Sequence, residues 1–490
     1  MKRKEITYLL IICIFFAFVY SLISLVNHYL YRTSALDLGM FNNAIYDFAH
    51  FRNNTFKLDP WGNFKNYFGD HFSPITFFYV PFYYIFGSYS LLIIQILSII
   101  AGGLGIYFYC KYNTTNRALP YIFMVHFFSI WGIYSALSFD FHNNVIAAML
   151  VPWFVYFWEK DNKKITVLLF ILIIICKENM ALWMFFIIMG LMIKDKFNKV
   201  LINPLYQLSL LLFSIIYFYV VVKLVMPGFQ GATELGQLKR YVILGNNANE
   251  MFLTILKRPG YIFSLLFRSS INGEIYSGIK SELHYMVLFS GGFAFIKKPH
   301  YLVMLIPIYM QKMLSTDFAL WGINYQYSIE FVPVLTLALF DFVNDFKNIR
   351  TQKILSLVFL LITFGATISK IDKRKSIWYN STNQRFYSKK HYQTDLNIKE
   401  INQALELIPA NAAVSAHYSI VPHISFRDKI YHFPYVNDAE YIVLFRTSEG
   451  YYPIDEKSYN EKIKFYEKSP EWIRLYDKSN LLIFRKMKLN

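Results

Sequence analysis

The chain has 490 residues, 55% of them hydrophobic and 19% aromatic, and a formal net charge of +17. That much apolar surface excludes an ordinary soluble globule and fits a bilayer, which accepts it directly. The charge fits basic loops beside anionic lipid and not nucleic acid, because no zinc-finger, helix-turn-helix or RNA-binding signature is present. No nucleic-acid partner is expected.

The first apolar run, Tyr8 to Val26, follows Met1-Lys2-Arg3-Lys4 and is long enough to span the ~30 Å hydrocarbon layer. It is too long for a signal peptide and no small-residue cleavage site follows it, so it is expected to be an uncleaved helix. Basic residues in short loops then set the orientation, with the N-terminus cytoplasmic. Residues 27–72 form an external loop. Within it, Leu36, Met40, Ile45, Phe48 and Phe51 approximate helical spacing, as in a helix lying in the membrane interface. Phe72 to Phe86, broken by Pro74 and Pro81, is expected to be a short re-entrant or interfacial helix.

Apolar runs follow at Tyr89–Tyr109, Leu119–Leu137, Val145–Trp158 and Leu201–Met226, with two short spans, Ile165–Cys176 and Met180–Ile193, between the last two. A second external segment, 227–282, carries Glu234, Lys239, Arg240, Asn246, Asn247 and Glu250. Four more runs, about 284–296, 301–316, 327–343 and 354–369, complete ten or eleven spans. The inside loops are basic at 111–117, at Lys194, Lys196 and Lys199, at Lys297-Lys298 and at Lys347–Lys353. Against this orientation, Lys370, Lys373, Arg374 and Lys375 follow the last span on the outer side. Cys13, Cys110 and Cys176 lie in or beside apolar runs without metal-like spacing and read as small hydrophobes.

Beyond 375 charged residues become frequent and no membrane-length run remains. Leu396–Leu407 and Glu456–Glu467 read as helices. Ala413–Ala416, Tyr441–Phe445, Trp472–Tyr476 and Asn480–Arg485 read as strands. The fold class expected is mainly α: residues 1–375 form a polytopic transmembrane helical bundle, and residues 376–490 form a small α/β extracytoplasmic domain. The protein belongs in the cell membrane as a multi-pass chain.

Unusual ionisable groups collect at the outer ends of the runs. Asp37, in Ser34-Ala35-Leu36-Asp37-Leu38-Gly39, suits a general base, a divalent-cation ligand, or an N-cap for the following helix. Asp70-His71 and Asp140-Phe141-His142 are two Asp/His clusters. Each reads either as a capping turn or as part of a shared phosphate- or metal-binding site. Lys177-Glu178 stands between two short apolar runs at the bilayer surface, where an ion pair is costly unless used or mutually satisfied. Lys177 suits a lipid-linked phosphate, and Glu178 suits a metal ligand or supporting carboxylate. Asp37 and Glu178 are the metal candidates, with Mg or Mn as the cation if one is used.

These motifs also carry a family resemblance. Asp37-Leu38-Gly39, His71-Phe72-Ser73-Pro74, Phe139-Asp140-Phe141-His142 and Lys177-Glu178-Asn179 occur in the order of the polytopic unknown-function family 2079, as do Ile408-Pro409, Pro422-His423 and Tyr431-His432-Phe433-Pro434 in the tail. That family resembles GT-C type glycosyltransferases, multispan enzymes that use polyprenyl-phosphate sugars and keep an acidic residue in the first external loop. The resemblance implies that Asp37 deprotonates an acceptor hydroxyl. In the mechanism expected from these residues, His71, Lys177 and Arg240 hold the donor phosphate, and Asp140, His142 and Glu178 complete the substrate site. Membrane lipid, a polyprenyl-phosphate sugar and a cell-envelope acceptor are the implied partners. Two departures remove negative charge: Asn179 stands where Asp is usual, and Asn143-Asn144 where Pro-Glu is common. The alternative is a transporter or flippase for a lipid-linked or polar solute, although transporters place charges at the midplane and often repeat a half. An envelope assembly protein is a third reading and leaves the rim cluster unexplained.

Overall fold

The computed structural model describes residues 3–55, 57–59, 66–200, 203–229, 236–446 and 450–487, with 236–238 as backbone only. Each apolar run within them is helical. Among the described residues, four helical stretches are long and apolar enough to cross a membrane: Arg3–Tyr29, Pro74–Asn113, Pro204–Gly228 and Ile349–Asp372. A fifth arises if Leu119–Ser129 and Trp131–Leu137, bent by 46°, count as one. The bend has a local cause. Ile130 is extended (ψ 134°), and the Phe128 carbonyl takes the Tyr20 hydroxyl at 2.8 Å in place of an intrahelical donor.

The other bundle helices are shorter or end in charge: Asn143–Glu159, Lys163–Ile174, Met180–Phe197, Ile279–Phe289, Pro299–Met313 and Phe331–Asn344. Twelve residues, as in Lys163–Ile174, rise only roughly 18 Å. Such helices are held by neighbours instead; Phe331–Phe340 is buried without a break. The long helices expose apolar stripes at helical spacing, such as Ile11, Ile14, Phe15 and Phe18, or Ile354, Leu357, Leu361 and Phe364. Exposed surface of that kind is what lipid contact requires.

Two local expectations change. The stretch expected to lie in the interface becomes a five-residue π-turn, Ala35–Gly39, and the helix Met40–Ala49. That helix is packed on protein, with Phe41, Asn42, Asn43, Ala44 and Ile45 all buried. Asn42 donates to the Pro422 carbonyl at 3.2 Å and Asn43 to those of Ser425 (2.9 Å) and Arg427 (3.1 Å). Its amphipathic period serves a protein interface with the Pro422–Arg427 backbone. The Pro74–Tyr79 and Val80–Phe86 segments are a 3-10 turn and a seven-residue helix that bend at Gly87 (φ 53°) into Ser90–Asn113.

The tail forms a five-stranded sheet in the order β2-β1-β3-β5-β4. Its strands are β1 (Val414–Ala416), β2 (Ile430–His432), β3 (Tyr441–Phe445), β4 (Trp472–Lys478) and β5 (Leu481–Lys486). β1 pairs in parallel with β2 and β3, and β5 pairs antiparallel with β3 and β4. Helices Ile398–Leu405 and Glu456–Lys468 cover it. One apolar core joins this unit to the end of the first helix, with Leu30, Tyr31 and Ala35 packed among Ile401, Val421 and Val443.

The basic residues after the last long helix are engaged by protein. Lys370 lies 3.0 Å from Glu282, and buried Arg374 donates to Ser135 Oγ (2.8 Å) and Asn324 Oδ1 (3.0 Å). Gly39 fixes how closely the sheet unit approaches, since a Cβ there would stand 2.8 Å from Val421 Cγ1. Gly39→Ala is therefore expected to cost about 1–3 kcal/mol and to speed protease release of a tail fragment. Unchanged digestion would show that the Val421 turn gives way without cost.

Candidate active site

The chain leaves the first helix through Tyr31 (φ 58°) and enters the π-turn at extended Ser34. Asp37 lies inside that turn. The residue at the N-cap position of helix Met40–Ala49 is Gly39, without a side-chain cap, so Asp37 does not have the capping job. Its Oδ2 accepts the Ser34 hydroxyl at 2.8 Å and its Oδ1 lies 3.1 Å from His142 Nε2.

Asp140 takes the left-handed conformation (φ 54°), which Asp tolerates better than most residues. Its Oδ2 accepts the Ser34 backbone N–H at 2.7 Å, tying the two loops together. Gln95, buried within Ser90–Asn113, clamps the same turn from below. It donates to the Asp140 carbonyl at 2.8 Å and accepts the His142 N–H at 3.0 Å.

Burial lowers the His142 pKa, Asp37 opposes the shift, and Lys177 and His71 lower it further. A neutral imidazole facing an acceptor-only carboxylate carries its proton on Nε2 and donates to Asp37. Its Nδ1 is then a buried acceptor without a partner. The side chain of His142 is 9% exposed and that of Asp37 22%, so the carboxylate is the member of the pair a substrate can reach.

A second pair sits beside the first. His71 Nδ1 lies 3.4 Å from Glu178 Oε1, a contact without hydrogen-bond alignment, and Phe72 N–H donates to Glu178 Oε2 at 3.1 Å. His71 Nε2 is 3.8 Å from Asp70. Burial alone would raise the Glu178 pKa. The neighbouring His71 and Lys177 side chains outweigh it, so the net shift is downward.

The two pairs share one electrostatic neighbourhood. His142 senses both Lys177 and His71, and Asp37 reaches Tyr325, Tyr327, Tyr418 and Tyr452. Tyr418 and Tyr452 belong to the sheet unit, which therefore comes near Asp37. Phe139 stacks on His142 at 5.3 Å and meets Tyr325 at 4.2 Å, forming an aromatic wall. The motif residues Asp37, His71, Asp140, His142, Lys177 and Glu178 thus gather at one end of the bundle.

Arg240 pairs with Asp317. Its Nε lies 3.5 Å from Asp317, the carboxylate nearest to it, and its carbonyl accepts the Thr316 N–H and hydroxyl. Arg240 and Asp37 both act on Tyr327. Glu234 lies outside the described residues. Asp37 and Glu178, the metal candidates, each face a different histidine. Among the described residues no group of three His, Cys, Asp or Glu side chains is placed to hold a metal ion.

Burial and the like charge of Asp37 raise the Asp140 pKa from 3.8 to about 7. The folded state therefore binds more protons than the unfolded chain across this window, and stability falls as pH rises from about 4 to about 7. Asp140→Asn is expected to flatten that slope in thermal unfolding of the detergent-solubilised protein. A slope identical to wild type would place the titration elsewhere.

With this geometry in place, the chain belongs to the family described as a predicted membrane protein, domain of unknown function 2079, whose model matches residues 27–483. No curated protein matches it. Among solved structures, the apo-form crystal structure of the Archaeoglobus fulgidus oligosaccharyltransferase is similar at 13% identity and a TM-score of 0.39. The match covers 86% of this chain and 64% of that one, so the chain spans under two thirds of that neighbour. At that score the likeness is too loose to transfer a site or an activity.

Proposed function

We propose that this member of the 2079 family is a membrane-embedded glycosyltransferase of GT-C type. It would move a sugar from a polyprenyl-phosphate donor to a cell-envelope acceptor at the outer membrane face, with residues 1–375 as the transmembrane part and 376–490 as an extracytoplasmic domain. The observation that carries the reading is the partly exposed Asp37 carboxylate, oriented by His142 and Ser34, with Lys177 and His71 close enough to act on that same His142.

In the proposed step the acceptor hydroxyl oxygen attacks the anomeric carbon and its proton passes to Asp37. The bond between that carbon and the phosphate oxygen breaks, and Lys177 and His71 take up the phosphate charge. His142 and Asp140 position Asp37. The lipid chain has an open apolar groove of about 570 Å³ beside Phe48, Phe68, Phe77, Val80 and Tyr84. Phe68 and Phe72, 5.5 Å apart, connect that groove to the His71 loop.

The test is sugar transfer by protein reconstituted in liposomes, using labelled polyprenyl-phosphate hexoses and an envelope fraction as acceptor. Label in the acceptor is the expected result. Movement of labelled lipid across the bilayer without transfer would favour the flippase.

A further inference from the structure

We infer that the two short helices Ala248–Lys257 and Pro259–Leu265 form a hairpin that lies on the membrane and seats this segment on an anionic lipid surface. The inference is independent of the transferase reading and needs only that the chain is a membrane protein. Ten and seven residues rise only roughly 15 and 10 Å, too little to cross ~30 Å of hydrocarbon.

Protein covers one side of the hairpin. Met251 and Ile255, one turn apart, pack with Ile262 in the cluster of Leu244, Leu265 and Leu314, which Met310 joins. Met310 belongs to helix Pro299–Met313, so the hairpin rests on the C-terminal end of that helix. At about 100° per residue, the adjoining sector of the first helix holds Phe252, Leu256 and Leu253. These are 61%, 60% and 45% exposed. Asn249, in the first turn, is the one polar residue on that sector, and Glu250, Thr254 and Lys257 fill the remainder. The apolar arc is thus wider than the protein surface that covers it, and its open part needs another apolar partner.

Continuity and charge make that partner lipid. Phe263 and Phe267 extend the open face, their rings 5.5 Å apart. Phe267 meets His284 at 5.0 Å, and His284 Nε2 donates to the Leu266 carbonyl at 2.8 Å. His284 lies in helix Ile279–Phe289, whose Tyr285, Leu288 and Phe289 are themselves exposed. The open face therefore adjoins the apolar outer surface of a bundle helix. From 239 to 268 the segment carries Lys239, Arg240, Lys257, Arg258 and Arg268 against Glu250 alone. Glu250 is engaged at the helix start, where it accepts the Asn246 N–H at 2.8 Å. Exposed Lys257 and Arg258 follow the apolar sector directly. Their stems can lie along it while their charges reach lipid phosphates, as in helices that bind anionic leaflets. A second copy of this chain, at a net charge of +17, would meet the same patch against repulsion.

The test uses the full-length protein in phosphatidylcholine nanodiscs, with or without phosphatidylglycerol. Nitroxide labels are attached at Phe252→Cys, Leu256→Cys or Thr254→Cys on a Cys13→Ala background, since Cys110 and Cys176 are buried. Collision of each label with oxygen is compared with its collision with a water-soluble nickel complex. Labels at 252 and 256 are expected to favour oxygen, at a depth of roughly 5–10 Å, and the label at 254 to favour nickel. Lys257→Gln with Arg258→Gln should make the labels shallower where phosphatidylglycerol is present and change nothing where it is absent. Labels at 252 and 256 that meet nickel as freely as the label at 254 place the face in water and overturn the inference. Shielding from both reagents marks a protein partner or a second copy and overturns it equally. A depth insensitive to phosphatidylglycerol and to the two substitutions overturns the assignment to anionic lipid.

Discussion

Asp37→Asn is expected to lower sugar transfer by ~10²–10⁴-fold, the usual effect of losing a general base, while leaving the fold and donor binding intact. The local geometry makes this a clean substitution. Asn keeps an oxygen for His142 Nε2 and a polar group beside Ser34, and Asp37 caps no helix whose loss would confuse the result. Near-normal transfer by a folded Asp37→Asn protein would leave the mechanism without its base. His142→Gln serves as the companion variant. It leaves Asp37 in place but loosens its orientation, so it should lower the turnover rate and shift the pH profile with little change in donor affinity. Equal loss in both variants with an unchanged pH profile would instead mark His142 as purely structural.

The candidate site was legible because its residues interrupt apolar runs, where a charged group must be used or satisfied. That signal found Asp37, His71, Asp140, His142, Lys177 and Glu178, although not which carboxylate faces which histidine. Gln95 escaped notice, yet the same logic applies to it: a wholly buried amide within Ser90–Asn113 needs partners, and it finds them on either side of Phe141. Tyr418 and Tyr452 left no such trace, because only tertiary folding carries them to Asp37 from some 380 or more residues away. The helix Met40–Ala49 teaches a different lesson. Its period was readable, but period alone does not distinguish a lipid surface from the Pro422–Arg427 backbone it meets. In the tail, β2 (Ile430–His432) was not read as a strand.

Lys194 was read as one more basic residue marking an inside loop, and the structure gives it heavier duty. It is 6% exposed, with its ammonium 2.6 Å from Glu159 Oε1, 2.6 Å from Asp341 Oδ2 and 2.5 Å from the Tyr109 hydroxyl. Tyr109 and Tyr301 each donate to Asp341 at 2.8 Å, completing the network. These groups come from five helices: Ser90–Asn113, Asn143–Glu159, Met180–Phe197, Pro299–Met313 and Phe331–Asn344. Several of them are too short to be held by the bilayer alone, so the cluster is where they are locked together. Lys194→Met removes the only cation recorded against two partly buried carboxylates, Glu159 and Asp341, among the described residues. Breaking one partner of a buried ion pair in this way costs ~3–5 kcal/mol. A large drop in the unfolding temperature of the detergent-solubilised protein is therefore expected. Lys194→Met combined with Asp341→Asn should recover part of the loss, because one stranded charge is then neutralised and its contacts to Tyr109 and Tyr301 are kept. A double variant no more stable than Lys194→Met would mean that packing of the lysine stem, and not charge compensation, is what this end of the bundle requires.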